Sequence, residues 1–168
     1  MRWADVSFDA GQLTVVQCLQ RLERESRLVE PKSARSHRTL HLPGPALEAL
    51  RAEKMSQLER QLAAGARWKP TIDGLVFTDP LGAPLVGTRV LYLFQCALRH
   101  AGVDRLRFHH LRHLHGMLLL ASGTDIAVVR DVLGHSSIAL TADTYAGVMP
   151  VLKREAADRF EKLLSLPS

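Results

Sequence analysis

An α+β fold, mainly α with a small antiparallel β-sheet near the N-terminus, is what this sequence predicts, and three observations carry the prediction. The longer runs of β-forming residues lie before about position 42. From Pro43 onward, apolar residues recur at the three- and four-residue spacing of a helix with one buried face. Proline and glycine punctuate these runs at Pro43-Gly44-Pro45, Asp79-Pro80-Leu81-Gly82, Ala101-Gly102 and Gly134. With 168 residues and a hydrophobic fraction of 46%, the chain has the material for one domain with a real core.

Taken in order, the turn signal Asp9-Ala10-Gly11 precedes residues 13–19, a β-rich run that reads as one strand. The polar residues 23–26 read as a turn, and Arg27-Leu28-Val29-Glu30 begins a return strand. Residues 31–38 make a basic connection, and Thr39-Leu40-His41-Leu42 alternates as a third strand, so the sheet occupies about 12–42. The helical part runs from about 44 to 148. Its first helix extends to Gly65 and is amphipathic, with Leu47, Leu50, Leu58 and Leu62 as the core face. A short strand is expected at residues 75–77. Next come a helix from about Thr88 to His100, buried through Val90, Leu91, Phe94 and Leu98, and another from Thr124 to Leu133. Gly134 closes that helix in the left-handed conformation. Pro150 can start a last helix, about 150–164, in which Val151, Leu152, Phe160, Leu163 and Leu164 form an apolar stripe.

The net charge of +5 favours a polyanionic partner without identifying one. Cys18 and Cys96 lie far apart with no C-x-x-C spacing, which argues against a zinc ribbon or disulfide framework and for reduced thiols. The N-terminus carries no apolar signal segment, and no stretch approaches a membrane-spanning length. A soluble, cytoplasmic protein with no membrane partner is expected.

The chemistry concentrates between His109 and Tyr145. His109-His110-Leu111-Arg112-His113 sets an imidazole and a guanidinium three residues apart, about 60° from each other on a helix, so both face one ligand. Leu133-Gly134-His135-Ser136-Ser137 swings a second imidazole out at a helix end, and Thr141-Ala142-Asp143-Thr144-Tyr145 supplies a phenol. Two imidazoles, a guanidinium and a phenol suit attack by tyrosine on a phosphodiester, with donors arranged around the growing negative charge. His110, His113 and His115 read as structural, and Asp143 as a local cap. His109 and His113 also have the i, i+4 spacing of zinc ligands, but no third ligand supports it, so no metal and no cofactor are expected.

The set H-x-L-R-H, L-G-H-S-S and D-T-Y, in this order and spacing, closely resembles the tyrosine recombinases, or phage integrase family, and the likeness runs from Trp3 to the C-terminal helix. It implies the catalytic domain of a site-specific recombinase acting on double-stranded DNA, and a nucleoid-associated location. By resemblance Tyr145 is the nucleophile that forms a 3′-phosphotyrosine, and Arg112 is the second of two catalytic arginines. His109 donates to the phosphate or assists the tyrosine proton, and His135 donates to a non-bridging oxygen. Lys32, in Glu30-Pro31-Lys32, matches the sheet lysine that protonates the leaving 5′-oxygen; the plainer reading is a solvated turn lysine. The C-terminal helix is expected either to dock on a neighbouring protomer or to pack on its own domain. Type IB topoisomerases share the chemistry, but the L-G-H-S-S and D-T-Y context resembles an integrase more closely.

One departure stands out. The family's first catalytic arginine lies in a motif like T-G-x-R-x-x-E, upstream of a segment like L-x-W-x-D-V. Here Met1-Arg2-Trp3-Ala4-Asp5-Val6 matches the second segment, so the first arginine is expected before residue 1. Arg2 stands at a different motif position. The resemblance thus implies an N-terminally truncated catalytic domain, inactive or nearly so alone, with exposed apolar surface and a tendency to self-associate. The alternative is a non-catalytic remnant that binds DNA or docks on an intact recombinase.

Overall fold

The computed structural model describes residues 1–22, 25–31, 36–135 and 137, together with 154 and 161. Its fold class is the expected one, helical for the most part with small antiparallel sheets before residue 42. The chain divides into two compact units, Met1–Ala101 and Gly102–Ser168.

In the first unit, β1 (Val6–Ser7), β2 (Gln12–Val15) and β5 (Arg38–His41) make a three-stranded antiparallel sheet in the order β1-β2-β5. Its register places Leu13 opposite both Val6 and Leu40. The hairpin of β3 (Cys18–Leu22) and β4 (Glu25–Val29) is a separate two-stranded sheet, with Cys18 opposite Val29. The run at 13–19 is therefore not one strand. It breaks at Val16-Gln17, and its halves pair with different partners, β2 with β5 and β3 with β4. Composition reveals β-forming residues but not which neighbour will satisfy their backbone groups.

Helix α1 (Gly44–Ala64) starts after Pro43 and carries Pro45 in its first turn, where a missing N–H costs nothing. Its inward stripe recurs every three or four residues: Leu47, Leu50, Glu53, Gln57 and Arg60 are buried or half-buried. Leu58 and Leu62 instead lie 46% and 83% exposed, which corrects the expectation that they belong to the core. Polar groups take the inner positions because they have partners there. Arg60 bridges to Glu53 at 2.7 Å and to Ser56 Oγ at 2.8 Å. The Gln57 amide donates to the carbonyls of Leu75 at 2.9 Å and Val76 at 3.1 Å, and to Thr78 Oγ1 at 3.3 Å. Its oxygen accepts from Trp3 Nε1 at 2.7 Å.

These bonds explain a second difference. Residues 75–77 form no strand, only a single bridge between Leu75 and Arg2, because the carbonyls of Leu75 and Val76 go to a side chain. Leu75 and Val76 are core residues all the same, whereas Phe77 is exposed. The segment is also tied to the chain's first residues, through Trp3 N to Gly74 O at 2.8 Å and Val76 N to Met1 O at 3.3 Å. Lys54 and Arg51 lie over the Trp3–Phe8 stack, with Lys54 Nζ 5.7 Å from the indole centroid. Helix α2 (Gly87–His100) follows. Val90, Phe94 and Leu98 recur every fourth residue and are half-buried, whereas Leu91, a step off that stripe, is exposed. Both cysteines are free.

In the second unit, α3 (His110–Ala121) and α4 (Ile126–Leu133) form a hairpin whose core is Leu120, Val129 and Leu133, backed by Leu119 and Ile126. The corner is fully accounted for. Gly123 turns left-handed at φ +84°, and its N–H and that of Thr124 close α3 onto the carbonyls of Leu120 and Leu119. Asp125 then caps α4 by accepting from Ala127 N at 2.7 Å. Helix α4 begins two residues later than the expected Thr124 because Thr124 still belongs to the previous helix's cap. Large apolar side chains are exposed in both units, among them Met55 in the first and Leu118 and Val128 in the second. Of the C-terminal helix expected at about 150–164, only Arg154 and Glu161 are among the described residues, and both are helical. No helix among the described residues is long and apolar enough to cross a membrane.

Gln57→Ala removes partners from two buried carbonyls and an indole N–H, and is expected to destabilise the chain by about 2–4 kcal/mol. Urea unfolding midpoints measure this, with Gln61→Ala, on the exposed face, expected to shift stability by less than about 0.5 kcal/mol.

Candidate active site at the start of α3 and the end of α4

His109 stands at the threshold of α3 with helical backbone angles, φ −63° and ψ −24°. Its carbonyl accepts from the N–H groups of Arg112 at 3.1 Å and His113 at 3.4 Å, so the first turn is already closed when Arg112 is reached. The positive pole of α3 adds to the two side-chain donors at this end. Arg112 is half-buried, and its Nη2 donates to the carbonyl oxygen of Leu133, the last residue of α4. That oxygen is one of those a helix end leaves without an internal partner. The guanidinium therefore serves as a cap, and the contact holds its Nη2 at the end of α4.

The residues after Leu133 are held as firmly. Gly134 adopts φ +68° and ψ 37°, a region that disfavours any residue with a Cβ. Gly134 N bonds Asp131 O at 3.1 Å and His135 N bonds Arg130 O at 3.0 Å, the double closure of a Schellman motif. The expected left-handed glycine at the helix end is thus what the structure has. His135 is half-buried beside the other cationic groups: burial first, then the charges of Arg112, His113 and His109, hold its imidazole below the ordinary histidine range. At neutral pH this ring is uncharged, and offers a donor on one nitrogen and an acceptor on the other.

The structure thus brings His109, Arg112 and His135 to one corner. It adds His113, which the sequence reading set aside as structural. The rings of His109 and His113 meet edge to face with centroids 4.7 Å apart and planes at 84°, while His110 and His115 are exposed. The i, i+4 spacing was the available signal. It suits a pair of metal ligands, and it also lets two rings on one helical face pack together. Lys32 and Tyr145 lie outside the described residues, as does Asp143. Among the described residues no group of three or more His, Cys, Asp or Glu is arranged to hold a metal ion.

A helix start with an imidazole and a guanidinium is thus bonded to a glycine-closed helix end that carries another imidazole. Residues 1–150 match the phage integrase family, and the chain belongs to that family. It is 29% identical to a tyrosine recombinase XerC-like protein of Caldanaerobacter subterraneus subsp. tengcongensis, over 97% of this chain and 44% of that one. An integrase of Streptomyces ambofaciens is 34% identical over 76% of this chain and 33% of its own length. The chain thus spans less than half the length of either relative. Among solved structures, the Tn1549 transposon integrase in complex with circular intermediate DNA shares the fold with a TM-score of 0.71, at 20% identity over 95% of this chain and 53% of that one. XerA recombinase gives 0.63, at 18% identity over 95% and 50%.

Gly134→Ala forces a Cβ into the left-handed region and is expected to cost about 1–2 kcal/mol in urea unfolding, with Gly134→Asn costing less. The His135 shift has a definite sign. Because the folded-state pKa is depressed, the unfolded chain takes up this proton first as pH falls below the ordinary value of 6.5. The stability contribution is therefore full above that value and is lost as pH falls through the folded pKa. Unfolding free energies measured across this range are expected to show a positive slope with pH that His135→Gln reduces.

Proposed function

We propose that this chain carries the tyrosine-recombinase reaction: cleavage and rejoining of double-stranded DNA through a 3′-phosphotyrosine formed by Tyr145. The observation that carries the reading is the meeting of Arg112, His109 and His135 at one corner of a phage integrase family member. The net charge of +5 suits a DNA partner, and the Tn1549 integrase of like fold was solved with DNA. Attack forms a bond from the phenolic oxygen to phosphorus and breaks the bond from phosphorus to the 5′-oxygen. A phenol with an ordinary pKa near 10 needs help to lose its proton at neutral pH, and His109 is the group assigned to assist it. The guanidinium of Arg112 grips the non-bridging oxygens as negative charge accumulates, and His135 donates to one of them. Lys32, by its match to the family, delivers a proton to the departing 5′-oxygen. Attack by a 5′-hydroxyl on the phosphotyrosine reverses these steps and reseals the strand. Charge at phosphorus is met by guanidinium and imidazole N–H groups, so the reading calls for no metal ion or cofactor.

The finer parts of the proposal concern assembly. The apolar stripe of residues 150–164 is assigned to contact with a neighbouring protomer, and the protein to the nucleoid, where its substrate lies. No segment of these 168 residues matches T-G-x-R-x-x-E, so the chain by itself supplies one guanidinium and is expected to react slowly.

A nicked suicide duplex that traps phosphotyrosine tests the reading. The 168-residue chain is expected to yield a small amount of covalent adduct, which Tyr145→Phe abolishes and Arg112→Lys lowers on the order of 100-fold, as loss of an oxyanion donor does. Adduct mapped to any other residue would sink the assignment. Efficient trapping by the chain alone would overturn the expectation that it is slow.

A further inference from the structure

We propose that His113 is a positioning residue of this site: its ring, set edge-on against that of His109, holds His109 in the orientation from which it meets a phosphodiester beside Arg112. The inference rests on the phosphate reading above and adds a residue that has no part in that mechanism.

Several observations lead to it. The chain has eight histidines, and three of them, His110, His113 and His115, crowd the helix that carries Arg112. Only His113 of these three is withdrawn from solvent to a half-buried position, and its ring meets the His109 ring in a T-shaped contact at 4.7 Å. His109 needs such support. It sits at the helix threshold, makes no side-chain capping bond, and is exposed, so its rotamer is not set by burial. A neighbour one helical turn on provides the restraint, because the backbone of the two residues is locked by the His113 N to His109 O bond. Edge-to-face ring pairs favour one relative orientation over others, which turns a mobile surface imidazole into a directed one.

His113 also acts on the far side of the site. It is one of the three groups, with Arg112 and His109, whose positive charge bears on His135. His113 thus bears on both imidazoles assigned to the phosphate, on one by ring contact and on the other through its charge.

The test uses the full chain with His113→Ala, which removes ring and charge, and His113→Phe, which keeps a ring edge and removes the charge. In the free protein, NMR of the imidazole signals is expected to show the His109 ring displaced in His113→Ala and retained in His113→Phe. The His135 titration midpoint is expected to rise in both, because a cation that opposed its protonation is gone. With a short DNA duplex as probe, His113→Ala is expected to weaken binding about 2- to 10-fold, the range an aromatic pair contributes, and His113→Phe to stay within about twofold of the parent. A His109 ring unmoved in His113→Ala, or a Phe variant as weak as the Ala variant, would overturn the proposal. An Arg112→Ala chain that binds the duplex like the parent would overturn the phosphate reading instead, while the free-protein signals still decide the role of His113.

Discussion

The donation from Arg112 Nη2 to the carbonyl oxygen of Leu133 is the contact on which the rest of the candidate site depends. It joins the first turn of one helix to the last residue of the next, and so fixes how far His109 stands from His135. Leu133 is held from both sides: its side chain lies in the core with Leu120 and Val129, and its oxygen lies under a guanidinium. The interaction is favourable on three counts. It satisfies a helix-end carbonyl, places a cation at the negative pole of α4, and keeps a long flexible side chain from sampling other rotamers. The Arg112 guanidinium is thereby made part of the scaffold, held in place by the fold itself.

The first unit shows the same economy with a neutral group. Gln57 occupies a position that helical periodicity reserves for an apolar side chain, and it holds three segments at once: Trp3 near the start of the chain, α1 itself, and residues 75–78. A leucine there would bury well but would leave two carbonyls and an indole N–H without partners, each a cost comparable to a lost hydrogen bond. Leu75 and Val76 can therefore sit in the interior without pairing as a strand.

Much of the second unit was legible in the sequence because its boundaries are written in residues with local physical meaning. Gly134 can turn left-handed, and His109 and Arg112 share a helical face; each statement needs no knowledge of distant contacts. The first unit was less legible where the outcome depends on partners far along the chain. Leu58 and Leu62 have the right spacing for a core stripe, but the inward face of α1 is set by Gln57, Glu53 and Arg60, whose burial makes sense only once Trp3, Leu75 and Ser56 are in place. The β-rich run at 13–19 likewise gives no hint that it serves two sheets. At the site itself, the motif residues were recognisable by type and spacing, whereas the role of His113 depends on ring geometry, which spacing permits but does not impose.

Glycine corners in many proteins gather main-chain amides into a concave nest that receives an anion. The corner at Gly134 has that same winding, a helical residue followed by a left-handed one, but its amides are already occupied. The amides of Gly134 and His135 both point back into α4 and are taken by Asp131 and Arg130, so an incoming negative charge finds no backbone donors at this turn. On the reading proposed above, imidazole and guanidinium take the part that a main-chain cradle would have played, and unlike a cradle they can be altered by a single codon.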